Sequence, residues 1–346
     1  SNAGGTLNVS QSFGANVGSF DNTGGKLNAG SLSITTTGDL LNVDGTLTSA
    51  SDVNLTVGGN GDNTRGTISA TGALTANFAG AVQNTSGTLA SNQNLNVAAQ
   101  SLNNSQGNIS SAGRNVQLTI GQQLLNTAGR IASGANLSVQ TGSLDGSGGD
   151  LQSTGDMTVA ASQSLTSTGT NIAGGNATFK GASVDLTGSQ TGASNITITA
   201  TQGNVTTSGA TVATPGTLAI TANVQPGQTL VNSAGQLNAA QLQINTSNIA
   251  NINGGEIIQT GTGATVLAVN GSIDNSNSHI ATNGQDLTLQ AASITNNSGK
   301  IDHAGVGTLT IAGGSFNGAN GKITGNGALA VNLTGAFNQD GGTTYA

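Results

Sequence analysis

Four aspartates, Asp145, Asp150, Asp156 and Asp185, stand close together in the sequence with Lys180 among them. Carboxylates grouped beside a cation are the equipment of polysaccharide lyases and hydrolases. One carboxyl group gives a proton while another takes one or attacks, and the same groups hold Ca²⁺. A second series, Glu256, His279, Lys300 and Lys322, recurs at nearly constant spacing with Asp302-His303 beside it. A carboxylate and an imidazole on one face can pass a proton. A third phrase, Gly58-Gly59-Asn60-Gly61-Asp62-Asn63, resembles half of a Ca²⁺-binding nonapeptide repeat. Such repeats work in tandem, and this one is a single copy. The chain shows no Ser-His-Asp arrangement, no phosphate loop and no His-based zinc spacing. It has no cysteine, which excludes disulfides, Cys-metal sites and thiol catalysis.

Each of these groups also has a plain structural reading. Arg130 precedes Asp150 by one step of the spacing described below, so a surface ion pair accounts for both, at a value of at most about 1 kcal/mol. The 256–322 series reads as a solvated charged ribbon. The expectation is therefore no catalytic residue, no metal site and no cofactor. The alternative is a carbohydrate-active β-helix enzyme, of lyase or hydrolase type, with a groove near 140–230.

The elements that would position such groups are set by a repeat. A Leu or Ile returns every 20 or 21 residues in the phrase Gly-x-(Leu/Ile). This apolar column runs Leu27, Leu47, Ile68, Leu89, Ile109, Ile131, Leu151, Ile172, Val212, Leu237, Ile257, Ile280, Ile301 and Ile323. A fixed period of this size is the mark of a solenoid. Each unit carries three apolar stations separated by Gly, Ser, Asn and Thr. The second station alternates, as in Val53-Asn54-Leu55-Thr56-Val57 and Val116-Gln117-Leu118-Thr119-Ile120. Alternation describes half-buried strands, and Gly and Asn supply the corners with their positive φ. The fold class expected is all-β: a single-stranded, right-handed parallel β-helix of about 16–17 coils of 20–21 residues, three short strands per coil. At about 4.8 Å per coil its length is roughly 80 Å. The residue before each column member points outward, and that outer column is variable.

A polar column accompanies the apolar one. Asn stands three residues before the repeat glycine at Asn22, Asn42, Asn63, Asn84, Asn104, Asn126, Asn232 and Asn296, and Asn275 takes the same place before Ser278. Stacked Asn side chains can bond from coil to coil and cap the turn at once. The pattern lapses between about 140 and 230, where Gly146 and Thr166 stand in for Asn and one phrase near 190 is unreadable. The long step from Val212 to Leu237 calls for a loop at about 223–229, and the step from Ile257 to Ile280 for a bulge near 260–265. The domain reading is one continuous β-helix over 4–346: regular repeats in 4–139, variant repeats in 140–229 and regular repeats in 230–346. Residues 1–3 read as a remnant of tag removal.

Composition narrows the partners. Only 6% of the residues are charged and the net charge is −7. Seven basic residues form no patch, and aromatics are 2%. Nucleic acid and anionic membrane surfaces are thus poor partners. No apolar run is long enough to cross a bilayer as a helix, and no signal peptide is visible.

The phrases Asp21-Asn22-Thr23-Gly24-Gly25-Lys26-Leu27-Asn28-Ala29-Gly30-Ser31-Leu32-Ser33-Ile34 and Leu102-Asn103-Asn104-Ser105-Gln106-Gly107-Asn108-Ile109 resemble the repeats of filamentous haemagglutinin. Similar repeats fill the stalks of contact-dependent growth inhibition exoproteins. The resemblance is strongest in 4–139 and 230–340. It implies a secreted Gram-negative exoprotein, exported by an outer-membrane two-partner secretion transporter and displayed at the cell surface. Such a rod serves adhesion or presents an effector to a host or neighbouring-cell receptor, with no membrane insertion.

Overall fold

The structure is a computed structural model that describes residues 1–222 and 225–346. Short strands joined by tight turns make up the described chain, which is a parallel β-solenoid of about 16 turns without a helix. Backbone contacts divide it into two compact units, Ser1–Gly175 and Asn176–Ala346.

Within the first unit each coil pairs in parallel with the next. The first-station register runs Leu27, Leu47, Ile68, Leu89, Ile109, Ile131, Leu151. The second station stacks Leu32, Val53, Leu74, Leu95, Val116, Leu137 and Met157 in the same way. Nearly all of these side chains are fully buried. The second unit repeats the scheme, with Val212, Leu237, Ile257, Ile280, Ile301 and Ile323 in register. A strand's side chains alternate between faces, so one buried face fixes the register of the whole stack.

Some coils show three separate strands, such as Thr46–Ser49, Val53–Val57 and Gly61–Asp62. In others two stations run on as one bent strand, as in Lys26–Thr36 and Gln236–Thr246. There the corner between stations is one residue shorter. Ala29 and Leu32 are three apart, whereas Ser49 and Val53 are four apart.

One member of the expected apolar column is corrected. Ile172 is 42% exposed, and Asn171 pairs with Leu151 and is buried in its place. The corner ahead of it explains the slip. Asn126 and Ile131 are five residues apart, but the corresponding Ser167 and Asn171 are only four apart. With one residue fewer in this corner, Asn171 takes the inward place and Ile172 points out. Ser167, rather than Thr166, is the residue that pairs with Gly146. At the unreadable phrase near 190, Thr191 pairs with Val212 and is buried.

Of the loop expected at 223–229, residues 223 and 224 lie outside the described residues. Gln225-Pro226-Gly227 form a turn pinned by the buried Gln228, whose Oε1 accepts the Gln225 N–H at 2.6 Å. At 260–264 the chain makes a bend between the strands Glu256–Gln259 and Thr265–Ala268. The buried Gln259 holds this bend, its Nε2 donating to the Gly263 carbonyl at 2.5 Å.

Candidate functional site

The most organised set of polar groups is the buried asparagine column. Its corner is a four-residue turn, such as Asn84-Thr85-Ser86-Gly87, closed by the Gly87 N–H donating to the Asn84 carbonyl at 3.0 Å. The third residue adopts a left-handed conformation: φ is 53° at Asp44, 54° at Arg65, 53° at Ser86, 57° at Gln106 and 50° at Ala128. Positive φ therefore falls on the residue before the repeat glycine, not on that glycine. The glycine is needed for space. A Cβ at Gly87 would collide with the Asn63 carbonyl and the Asn84 side chain.

The room so left is filled by the ladder. Nδ2 of each Asn donates to Oδ1 of the next, Asn22 to Asn42 at 2.8 Å, then Asn63, Asn84, Asn104 and Asn126 at 2.7 Å each. The same Nδ2 reaches the carbonyl of the glycine three residues on, as Asn42 does to Gly45 at 3.2 Å. In the second unit Asn232 donates to Asn251 at 2.8 Å, Asn251 to Asn275 at 2.7 Å and Asn275 to Asn296 at 2.7 Å. All of these residues are at most 2% exposed. Each net hydrogen bond is worth about 1 kcal/mol, but an orphaned partner costs about 1–3 kcal/mol.

Two ladder members escaped the sequence pattern. Asn251 stands four residues before its glycine, Gly255, rather than three. Asn2 donates to Asn22 at 2.7 Å, although it lies in the tripeptide read as a remnant. A second buried polar column was missed altogether: Ser49, Ser91, Ser111, Ser133 and Ser153 in the first unit. Their hydroxyls bind corner carbonyls, as Ser133 does with Asn136 at 2.8 Å and Arg114 at 2.9 Å. Its signal was available, since each Ser lies two residues after a column Leu or Ile. In the second unit the matching places hold Thr214, Ala239, Gln259, Thr282 and His303.

Several of the aspartates have local partners. Asp145 accepts from the Ser147 N–H at 3.1 Å and the Ser147 hydroxyl at 2.6 Å. Asp185 accepts from the Thr187 N–H at 2.9 Å. Asp62, in the single nonapeptide-like phrase, caps the Thr64 N–H at 2.9 Å. Asp145, Asp150 and Asp156 belong to the first unit, Lys180 and Asp185 to the second. Arg130 and Asp150 are opposite one another in register, but the ion pair expected of them is not made. Arg130 donates to Gln152 Oε1 at 3.0 Å, and Asp150 caps the Thr170 N–H at 3.2 Å.

Glu256, His279, Lys300 and Lys322 do stack in register. His279 Nε2 meets Asp302 Oδ2 at 2.8 Å on the surface. His303 is not part of that ribbon. It is 2% exposed, with Nε2 at 3.0 Å from the carbonyls of Gly284 and Gln285. Elsewhere Arg65 forks onto Asp44 with two bonds of 2.7 Å. That hydrogen-bonded guanidinium holds the Asp44 carboxyl below the usual carboxylate range. The Thr23 N–H does the same for Asp21. Among the described residues no group of three His, Asp or Glu side chains is placed to hold a metal ion.

The haemagglutinin repeat family model matches residues 112–181, 260–314 and 304–346. The chain is 33% identical over 206 residues to "Toxin CdiA" of Yersinia pestis, covering 55% of this chain and 6% of that protein. It is 40% identical over 79 residues to "tRNA nuclease CdiA-2" of Burkholderia pseudomallei, covering 22% of this chain and 2% of that protein. The chain thus spans only a small part of the length of these relatives. No solved structure matches it significantly.

Proposed function

From a chain that carries filamentous haemagglutinin repeats and is distantly homologous to CdiA contact-dependent inhibition toxins, we propose a stalk segment of a large exoprotein. Its work is extension: it holds other parts of the parent protein away from a Gram-negative cell surface, for adhesion or for contact with a neighbouring cell. Export through an outer-membrane two-partner secretion transporter belongs to the same proposal, as does the arrangement of 4–346 as one continuous β-helix. The observation that carries the reading is the fate of the polar side chains. Inward Asn and Ser are spent on bonds between coils and corners, and the aspartates with resolved partners are mostly spent on capping turns. A segment so built gains stability from every added neighbour. Toxin activity is a property named for the relatives, and nothing in this segment's clusters calls for it here.

Small-angle scattering from the purified chain tests the proposal. A rod near 80 Å is expected, about 4.8 Å for each coil. A compact, near-spherical profile overturns it.

A further inference from the structure

The outer face of the first unit carries a furrow of about 650 Å³ that crosses the coils from Ala90 to Ile172. Its floor is one register column, Ala90, Ser110, Ala132, Gln152 and Ile172, one residue per coil. Its one charged lining residue is Arg130, at the centre. Arg130 takes the Oε1 of Gln152 at 3.0 Å, so the carboxamide presents its N–H groups outward beside the remaining guanidinium N–H groups. One coil earlier, Ser110 Oγ accepts from Asn108 Nδ2 at 3.0 Å, which leaves the hydroxyl proton free to donate. The neighbouring acid, Asp150, is turned to the Thr170 N–H and does not line the furrow. In a chain of net charge −7, no carboxylate lines this furrow.

We infer that the furrow binds an extended glycan bearing carboxylates, with one uronate carboxylate seated on Arg130 and Gln152. The occupant follows from three features. A carboxylate offers acceptors only, and a planar guanidinium grips it in a fork. The floor offers a hydroxyl at Ser110 and a carboxamide at Gln152, two coils or about 9.6 Å apart, close to the length of two pyranose units, so every second sugar meets a polar group. Ile172, exposed at one end, gives an apolar surface for the face of a sugar ring. An extended peptide has no such match. The backbone groups of these strands bond from coil to coil and present no open edge to this face. The inference rests on the reading of the chain as a stalk exposed at the cell surface.

Titration calorimetry with the whole chain tests it, using an oligogalacturonate of four to six units as probe and a neutral oligoglucan of equal length as control. The acidic oligomer is expected to bind about tenfold or more tightly than the neutral one. Arg130→Ala is expected to remove that difference, Gln152→Ala to reduce it, and Arg65→Ala at a corner turn to leave it unchanged. Arg130 is exposed, so its variant keeps the parent melting temperature. Equal binding of both oligomers, no binding at millimolar concentration, or undiminished binding by Arg130→Ala overturns the inference. Scattering on the same samples separates this outcome from the stalk reading: a rod that ignores the oligomer leaves the stalk standing and removes the site.

Discussion

The corner at Asn84 and the corner at Ser167 do the same job with different means. At Asn84 the turn is closed around a buried carboxamide that also binds the coils on either side, Asn63 and Asn104. At Ser167 the turn is one residue shorter, and the buried polar group folds back on its own coil. Ser167 Oγ donates to Asn171 Oδ1 at 2.6 Å, and Asn171 Nδ2 donates to the Ser167 carbonyl at 3.1 Å. The first solution couples neighbouring coils through side chains as well as backbone. The second adds bonds within its own coil and turns Ile172 out. A solenoid can therefore lose its ladder without leaving polar groups bare, and what changes is the side chain offered to solvent.

The largest effect separates inside from outside in the regular region. Ile109→Asp places an unpaired charge in the stack and is expected to cost several kcal/mol, whereas Asn108→Asp, one residue away and facing out, is expected to be nearly silent. Denaturant unfolding of the two variants checks this, and equal midpoints would reverse the assignment of faces. The next effect addresses the ladder. Asn84→Ala leaves the Asn104 Oδ1 acceptor buried without its partner and removes one of the acceptors of Asn63 Nδ2, for a loss of about 1–3 kcal/mol. Thr166→Ala, beside Ser167 but off the buried column, is expected to change stability by less than about 0.5 kcal/mol. Thermal melting of the pair shows whether the coil-to-coil bonds matter as the geometry requires. The smallest effect sharpens the contrast at the irregular corner. Ile172→Ser is expected to stay within about 0.5 kcal/mol of the parent because the side chain is exposed. A loss of about 2–5 kcal/mol, the range for emptying a core position, would put Ile172 back inside.

Most of the stack was legible in the residues. A Leu or Ile at a constant period, flanked by alternating residues, leaves one arrangement in which every apolar station is covered. The buried Asn column followed from its fixed distance to the repeat glycine. Asn251 was missed because one extra residue separates it from Gly255, and the Ser column because serine is equally common on the polar surface. The reason for the glycine was not legible either. Sequence habit assigns it a positive φ, whereas the left-handed residue is its predecessor and the glycine yields space to the carboxamide ladder.

By itself the sequence determined the class of fold, the period, the parallel stacking and the identity of the repeat, since each depends on spacings that many copies repeat. Tertiary structure decided which side chain faces in wherever a corner gains or loses a residue, and whether neighbouring opposite charges meet. Strand faces alternate with a period of two, so the short corner at 167–171 moves the inward place from Ile172 to Asn171, whereas the short corner between Ala29 and Leu32 keeps Leu32 inside. Whether Arg130 reaches Asp150 or Gln152 is likewise a competition among nearby donors and acceptors across coils, which only the folded stack brings together.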